Sequence, residues 1–246
     1  MGDLLFTPGK NMSRKNRKKE KKETAPGIPK DPFLPGPVMT GLIVVSALCY
    51  LAGDMLDMRS LIYVFKPMTM VLIIAMAWQR TPAISELYKS ALILALVCSL
   101  LGDVFLMFQK SDQIWFLSGM ASFFLAHVLF ATAFTFQKPP ATFTWYAYPI
   151  LIYGSAILAL VFPHLGSLRV PVLLYMGALS LMACQAINRW KASPGVNTEL
   201  AAYAAMLFVI SDSLLALNKF YAPFSGASLA IMGTYFLSQY LFAKSV

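Results

Sequence analysis

Four ionisable side chains stand inside long apolar runs of the sequence: Lys66, Asp103, His127 and Asp212. A charge at membrane depth is costly and by default faces the interior of a helix bundle for a purpose. Two carboxyl groups held near each other in a low-dielectric site can divide their roles, one as a neutral acid and one as a carboxylate. A proton donor, a fixed negative charge and a positioned water are what cleavage through an oxocarbenium-like state requires. Asp103 and Asp212 are two carboxyl groups of this kind, and Lys66 is a cation that could keep one of them ionised. Neutral polar residues accompany them. Ser211 adjoins Asp212, and Asn218 lies seven residues after Ser211 on the same helical face. Tyr235 and Gln239 are four apart and share one wall of the last apolar run. Asn218, Tyr235 and Gln239 are expected to border the polar end of a substrate. His127 is expected nearer the cytoplasmic half, as a proton relay or a packed structural donor. Two histidines and three scattered cysteines offer little for a metal, so no metal and no cofactor is expected. No Gly-x-Ser-x-Gly elbow occurs.

The elements that must carry these residues are apolar helices. The 246 residues are 58% hydrophobic and 13% charged, with a mean hydropathy of +0.65, against roughly 45–50% apolar and about 25% charged in soluble domains. Runs at about 38–55, 60–78, 88–108, 114–136, 143–162, 170–188, 200–218 and 225–243 are long enough, or nearly so, to cross a bilayer, which takes about 20 residues. The expected fold class is all-α, a polytopic membrane bundle of about eight transmembrane helices over residues 38–246. Short links make neighbours antiparallel. Cys49, Cys98 and Cys184 all fall inside the runs and are expected to be buried free thiols. Counting 1.5 Å per residue, Asp103 and Asp212 both lie roughly 18–23 Å from the cytoplasmic end of parallel helices. By the same count Lys66 lies about 9 Å below the outer end of an opposed one. Opposite charges at one level on three helices predict one buried polar site. An ion pair that merely clamps helices is the plainer alternative, but apolar contacts stabilise as well or better. Pro67 frees the carbonyl of Tyr63 beside Lys66.

The net charge of +9 is concentrated at the N-terminus, where residues 1–37 hold nine Lys/Arg and four Asp/Glu. The basic run Arg14–Lys22 has no aromatic residue for base stacking. Pro26, Pro29, Pro32, Pro35 and Pro37 follow it as a stiff spacer. Residues 1–37 are expected to be a basic, proline-rich, disordered cytoplasmic tail that touches anionic lipid and binds no nucleic acid. No cleavable signal peptide is expected. With that tail inside, fifteen basic residues are cytoplasmic and four (Arg59, Lys110, Arg169 and Lys219) are outside, so both termini are expected in the cytoplasm.

A shift of 109 residues lays Leu100–Leu106 on Val209–Leu215, pairing Asp103 with Asp212, Gln109 with Asn218 and Lys110 with Lys219. This faint repeat fits two four-helix halves with one carboxylate each. The string Ser211-Asp212-Ser213-Leu214-Leu215-Ala216-Leu217-Asn218-Lys219-Phe220 resembles the lysoplasmalogenase, or YhhN, family. So do Lys66-Pro67, Gly102-Asp103-Val104-Phe105-Leu106, Ala126-His127 and Thr234-Tyr235-Phe236-Leu237-Ser238-Gln239. The resemblance covers about residues 38–243 in the family's order; the tail lies outside it. It implies an integral membrane hydrolase that cleaves the vinyl ether of a lysoplasmalogen to a fatty aldehyde and glycerophosphoethanolamine or glycerophosphocholine. It implies the endoplasmic reticulum in an animal and the inner membrane in a bacterium, and makes Asp103 and Asp212 the catalytic pair. The expected partners are the lysophospholipid substrate and membrane lipid. The residues alone leave a second class open: a lipid or small-molecule transporter using the same buried site.

Overall fold

The computed structural model of the chain describes residues 34–82, 85–136 and 145–246. Among these the regular elements are all helical. They are α1 Gly36–Met55, α2 Arg59–Gln79, α3 Glu86–Met107, α4 Gln113–Ala133, α5 Tyr148–Val161, α6 Arg169–Ala192, α7 Val196–Ala216 and α8 Ala227–Lys244. Short 3₁₀ turns flank α5, and α7 continues into a wider π turn over Leu217–Tyr221. The tail before residue 34, the link at 83–84, and residues 137–144, including the start of the fifth apolar run, lie outside the described residues.

Local chemistry sets the helix ends. Pro37 stands in the first turn of α1, where a missing N–H costs nothing. Ser85 caps α3 by accepting from the Tyr88 N–H at 3.1 Å. Asp112 caps α4 by accepting from the Ile114 N–H at 2.9 Å. Gly226, at φ +75°, makes the left-handed turn into α8.

The chain is an integral membrane helix bundle. Among the described residues, seven helical segments are long and apolar enough to cross a membrane; α8 is not one of them. Its 18 residues include Thr234, Tyr235, Ser238, Gln239 and Tyr240. Tyr235, Ser238 and Gln239 are buried, so the polar face that lowers its hydropathy points into the protein. Outward faces elsewhere are apolar, as at Val45, Val71 and Leu174, each at least half exposed. Cys49, Cys98 and Cys184 are free thiols.

Neighbouring helices pair α1 with α2, α3 with α4 and α7 with α8; α6 joins α4 to α7, and α2 and α3 both meet α8. α3 and α4 cross closely. A Cβ placed on Gly102 would stand 2.6 Å from the Phe123 ring, and one on Gly119 would stand 3.3 Å from the Gly102 carbonyl oxygen. Small residues at such a crossing let two membrane helices approach closely. Phe130, Phe208 and Phe242 form the aromatic centre, with Phe130 stacked on Phe242 at 4.1 Å. Phe208 lies one turn before Asp212 on α7.

Candidate active site

Asp103 is 2% exposed and receives two polar contacts. Lys66 on α2 places Nζ 3.3 Å from its Oδ1. Tyr235 on α8 donates its hydroxyl to Oδ2 at 2.6 Å. The tyrosine is held by edge contacts with Phe123 at 5.9 Å and Phe208 at 5.6 Å. Lys66 precedes Pro67, the proline inside α2. Near this proline the Thr69 hydroxyl donates to the Phe65 carbonyl at 2.7 Å and shares a 2.8 Å bond with Ser46 of α1. Those bonds anchor the turn of α2 that presents Lys66.

Asp212 has a different set of neighbours. Tyr175 on α6 donates to its Oδ2 at 2.6 Å, and His127 on α4 places Nε2 3.5 Å from the same oxygen. The imidazole is fully buried between Tyr175, at 5.0 Å, and Phe208, at 4.7 Å. Among the described residues no lysine or arginine pairs with Asp212. The two carboxyl groups lie within electrostatic reach of each other.

Both aspartates line one cavity of about 210 Å³, together with Lys66, Tyr50, Asn218 and Tyr235. A second pocket, about 60 Å³, opens on Asp212 and is walled by Phe116, Met120, Val172 and Met176. Leu106, Phe123, Asp212 and Leu215 line both spaces. Asp212 therefore stands where a polar compartment meets an apolar one. α3 and α7, the helices that the sequence repeat pairs, deliver the two carboxylates. Just past the C-terminal ends of the same helices, the Lys219 ammonium donates to Gln109 Oε1 at 3.1 Å.

The remaining expected residues divide. Ser211 lines the cavity wall and donates to the Ile231 carbonyl at 2.9 Å, joining α7 to α8. Asn218 also lines it, and its Oδ1 accepts from the Phe224 N–H at 3.2 Å. Gln239 does not line the cavity. It is fully buried one turn beyond Tyr235, and its amide nitrogen and oxygen have no hydrogen-bond partner among the described residues. It does not border the polar end of the site. His127 meets Asp212 itself, with Nε2 3.5 Å from Oδ2. Tyr175 was not singled out from sequence. The signal was present, since a lone tyrosine hydroxyl deep in an apolar run needs a partner. No three His, Cys, Asp or Glu side chains group as metal ligands among the described residues.

Comparison with known proteins agrees with this architecture. The model of the YhhN family matches residues 61–246. The bovine protein named lysoplasmalogenase TMEM86A is 34% identical over 160 residues, which is 61% of this chain and 62% of that relative. Human lysoplasmalogenase TMEM86B is 33% identical over 169 residues, covering 68% of this chain and 67% of the relative. The Escherichia coli membrane protein YhhN is 27% identical over 185 residues, covering 75% and 86%. The chain thus spans a little under two thirds of the bovine relative's length. No solved structure matches it. A match over residues 61–246, which takes in the helices that supply Lys66, Asp103, Asp212 and Tyr235 to the cavity, means that the chain belongs to the YhhN family.

Proposed function

We propose that this protein is an intramembrane hydrolase of lysoplasmalogens, cleaving the vinyl ether to a fatty aldehyde and a glycerophospho alcohol. The observation that carries the reading is the division of the two aspartates over one cavity. Asp103 is paired with a lysine, and we assign it the carboxylate role. Asp212 has no such cation and faces the apolar pocket. The names of the bovine and human relatives support the substrate class.

A vinyl ether sits where a hydrocarbon chain joins glycerol, so it fits the junction at Asp212. The chain points into the apolar pocket, and the charged head occupies the cavity of Lys66 and Asn218. Asp212, with Oδ2 held by Tyr175, delivers a proton from Oδ1 to the outer vinyl carbon. The resulting oxocarbenium ion is stabilised by the Asp103 carboxylate, which also holds the attacking water. Water adds to the carbon bearing oxygen, the proton returns through the carboxylates, and the hemiacetal collapses to aldehyde and alcohol. Fixed charges aimed at developing charge in a site shielded from bulk water are an effective arrangement for catalysis. We place both termini and the basic tail on the cytoplasmic side, in the endoplasmic reticulum of a eukaryote or the inner membrane of a bacterium.

The test is to incubate purified, reconstituted protein with alkenyl and matched acyl lysophosphoethanolamine and lysophosphocholine. Aldehyde from the alkenyl lipids, without fatty acid from the acyl ones, is expected. Fatty acid release alone points to an esterase. Flux without any product, in a vesicle assay, points to a transporter.

A further inference from the structure

The apolar pocket beside Asp212 is too small for a lipid chain. Its volume is about 60 Å³, whereas sites for small molecules run to roughly 300–1,000 Å³. A chain that begins there must continue elsewhere. On their inner side α5 and α6 wall this pocket with Ile157, Val172 and Met176. On their outer side the same two helices enclose a groove of about 420 Å³, bordered by Gly154, Leu158, Leu173, Met176 and Gly177. Met176 lines both. Its thioether side chain is the most adaptable of the apolar residues, and Met176 is the one residue shared by the two linings.

The wall is built to yield. α5 has only 14 residues, and its main neighbours are α6 and the turn Leu217–Tyr221. Ile152 and Leu160 on its far side are 69% and 44% exposed. The lining of the groove reaches from Leu173 to Asn188 along α6, about 22 Å at 1.5 Å per residue. That exceeds half of the roughly 30 Å hydrocarbon core, so the groove can hold one extended chain along the membrane normal. Gly154 and Gly177 give it depth without side chains to fill it.

We propose that the α5–α6 groove is a lateral portal for the hydrocarbon chain of a single-chain lipid, with Met176 as its gate. This rests on the hydrolase reading for what happens next, but not for how the chain arrives. Access from the bilayer suits a lysolipid, whose chain partitions there.

A reversible lock tests it. A Cβ on Gly154 would lie 3.3 Å from Ser180 Oγ, so a cysteine at each position brings a sulfur within bonding reach of its partner. Gly154→Cys with Ser180→Cys, in a Cys184→Ala background, pins α5 to α6 when oxidised and frees it when reduced. Two readouts are taken in liposomes: aldehyde release from an alkenyl lysolipid, and labelling of the α5, α6 and α7 peptides by an alkyl-ether lysophospholipid with a chain-terminal diazirine. Oxidation should cut both at least tenfold, and reductant should restore them. Met176→Trp, a second variant that needs no cross-link, should cut both by a similar factor. Equal aldehyde release and equal labelling in the oxidised and reduced forms would overturn the portal. If no form releases aldehyde but labelling still responds to the lock, the portal stands and the hydrolase reading falls.

Discussion

Tyr175 donates its hydroxyl to Asp212 Oδ2 across 2.6 Å, linking α6 to α7 at the junction of the polar and apolar compartments. The arrangement repeats at Asp103, whose Oδ2 takes a 2.6 Å bond from Tyr235. Each carboxyl group thus has one oxygen fixed by a phenol, and the other directed to a different partner. The second partner of Asp103 is a lysine. For Asp212 we propose that it is the substrate.

Tyr175→Phe keeps the ring against His127 and removes only the donor. A hydrogen bond to a carboxylate contributes about 1.5–3 kcal/mol, so kcat/KM should fall about 10- to 100-fold, with the protein still monodisperse in detergent. Unchanged kinetics would mean that the bond does not position Asp212 for the reaction.

Asp103→Asn and Asp212→Asn keep the side-chain shape and remove the titrating proton. General acid–base catalysis typically contributes 10²–10⁴-fold, and each variant should lose about that much aldehyde release. Because the two act as a unit, the double variant should be little worse than the weaker single. Additive losses, or full activity in either single variant, would count against a shared reaction centre.

Lys66 and Asp103 form a buried ion pair, and removing one partner of such a pair costs about 3–5 kcal/mol because the other charge is stranded. Lys66→Met should therefore lower the thermal midpoint in detergent more than Lys66→Met combined with Asp103→Asn. A double-mutant cycle reads the coupling directly. If the double variant is less stable than Lys66→Met by the full cost of Asp103→Asn, the pair is not coupled.

The helical runs were legible because their signal is a sum over many apolar residues. Seven helical segments qualify as membrane spans, and the runs match the helices to within a few residues, as at 60–78 against Arg59–Gln79. Asp103, Asp212 and Lys66 stood out because charge in an apolar run is expensive. Tyr175 did not, since a tyrosine reads as part of an apolar helix until its hydroxyl is given a partner. Gln239 misled for the opposite reason: helical spacing from Tyr235 fixes the face of α8 but not the depth at which the cavity ends. The contact of His127 with Asp212 was not legible, because residue counts carry no information on how far one helix slides past another. The α5–α6 groove left no trace in the sequence, since it is a space between helices rather than a property of either.

Gly102→Ala tests how closely α3 must approach α4. The new Cβ would meet Phe123 at 2.6 Å, and Phe123 both lines the two compartments and braces Tyr235. Overpacking of this kind costs about 1–3 kcal/mol. Activity should fall with stability, and Phe123→Leu in the same chain should restore much of the stability. Restored activity as well would show that the ring acts only by filling space; stability without activity would mean that Tyr235 needs its aromatic support.

The proposed chemistry makes its own demand on isotopes. If Asp212 transfers a proton to carbon in the slow step, turnover in D₂O should be slower than in H₂O, and the aldehyde should carry one deuteron on its α-carbon. The acid is fixed on one side of the substrate, so the deuteron should arrive on one face and the product should be a single enantiomer when trapped at once by reduction to the alcohol. Authentic aldehyde held in D₂O for the same time measures non-enzymatic exchange. Cleavage on the glycerol side of the oxygen would instead release an enol into water, which also picks up deuterium but on both faces. Racemic label with no rate effect would therefore move the reaction off the vinyl carbon and off the proposed role of Asp212.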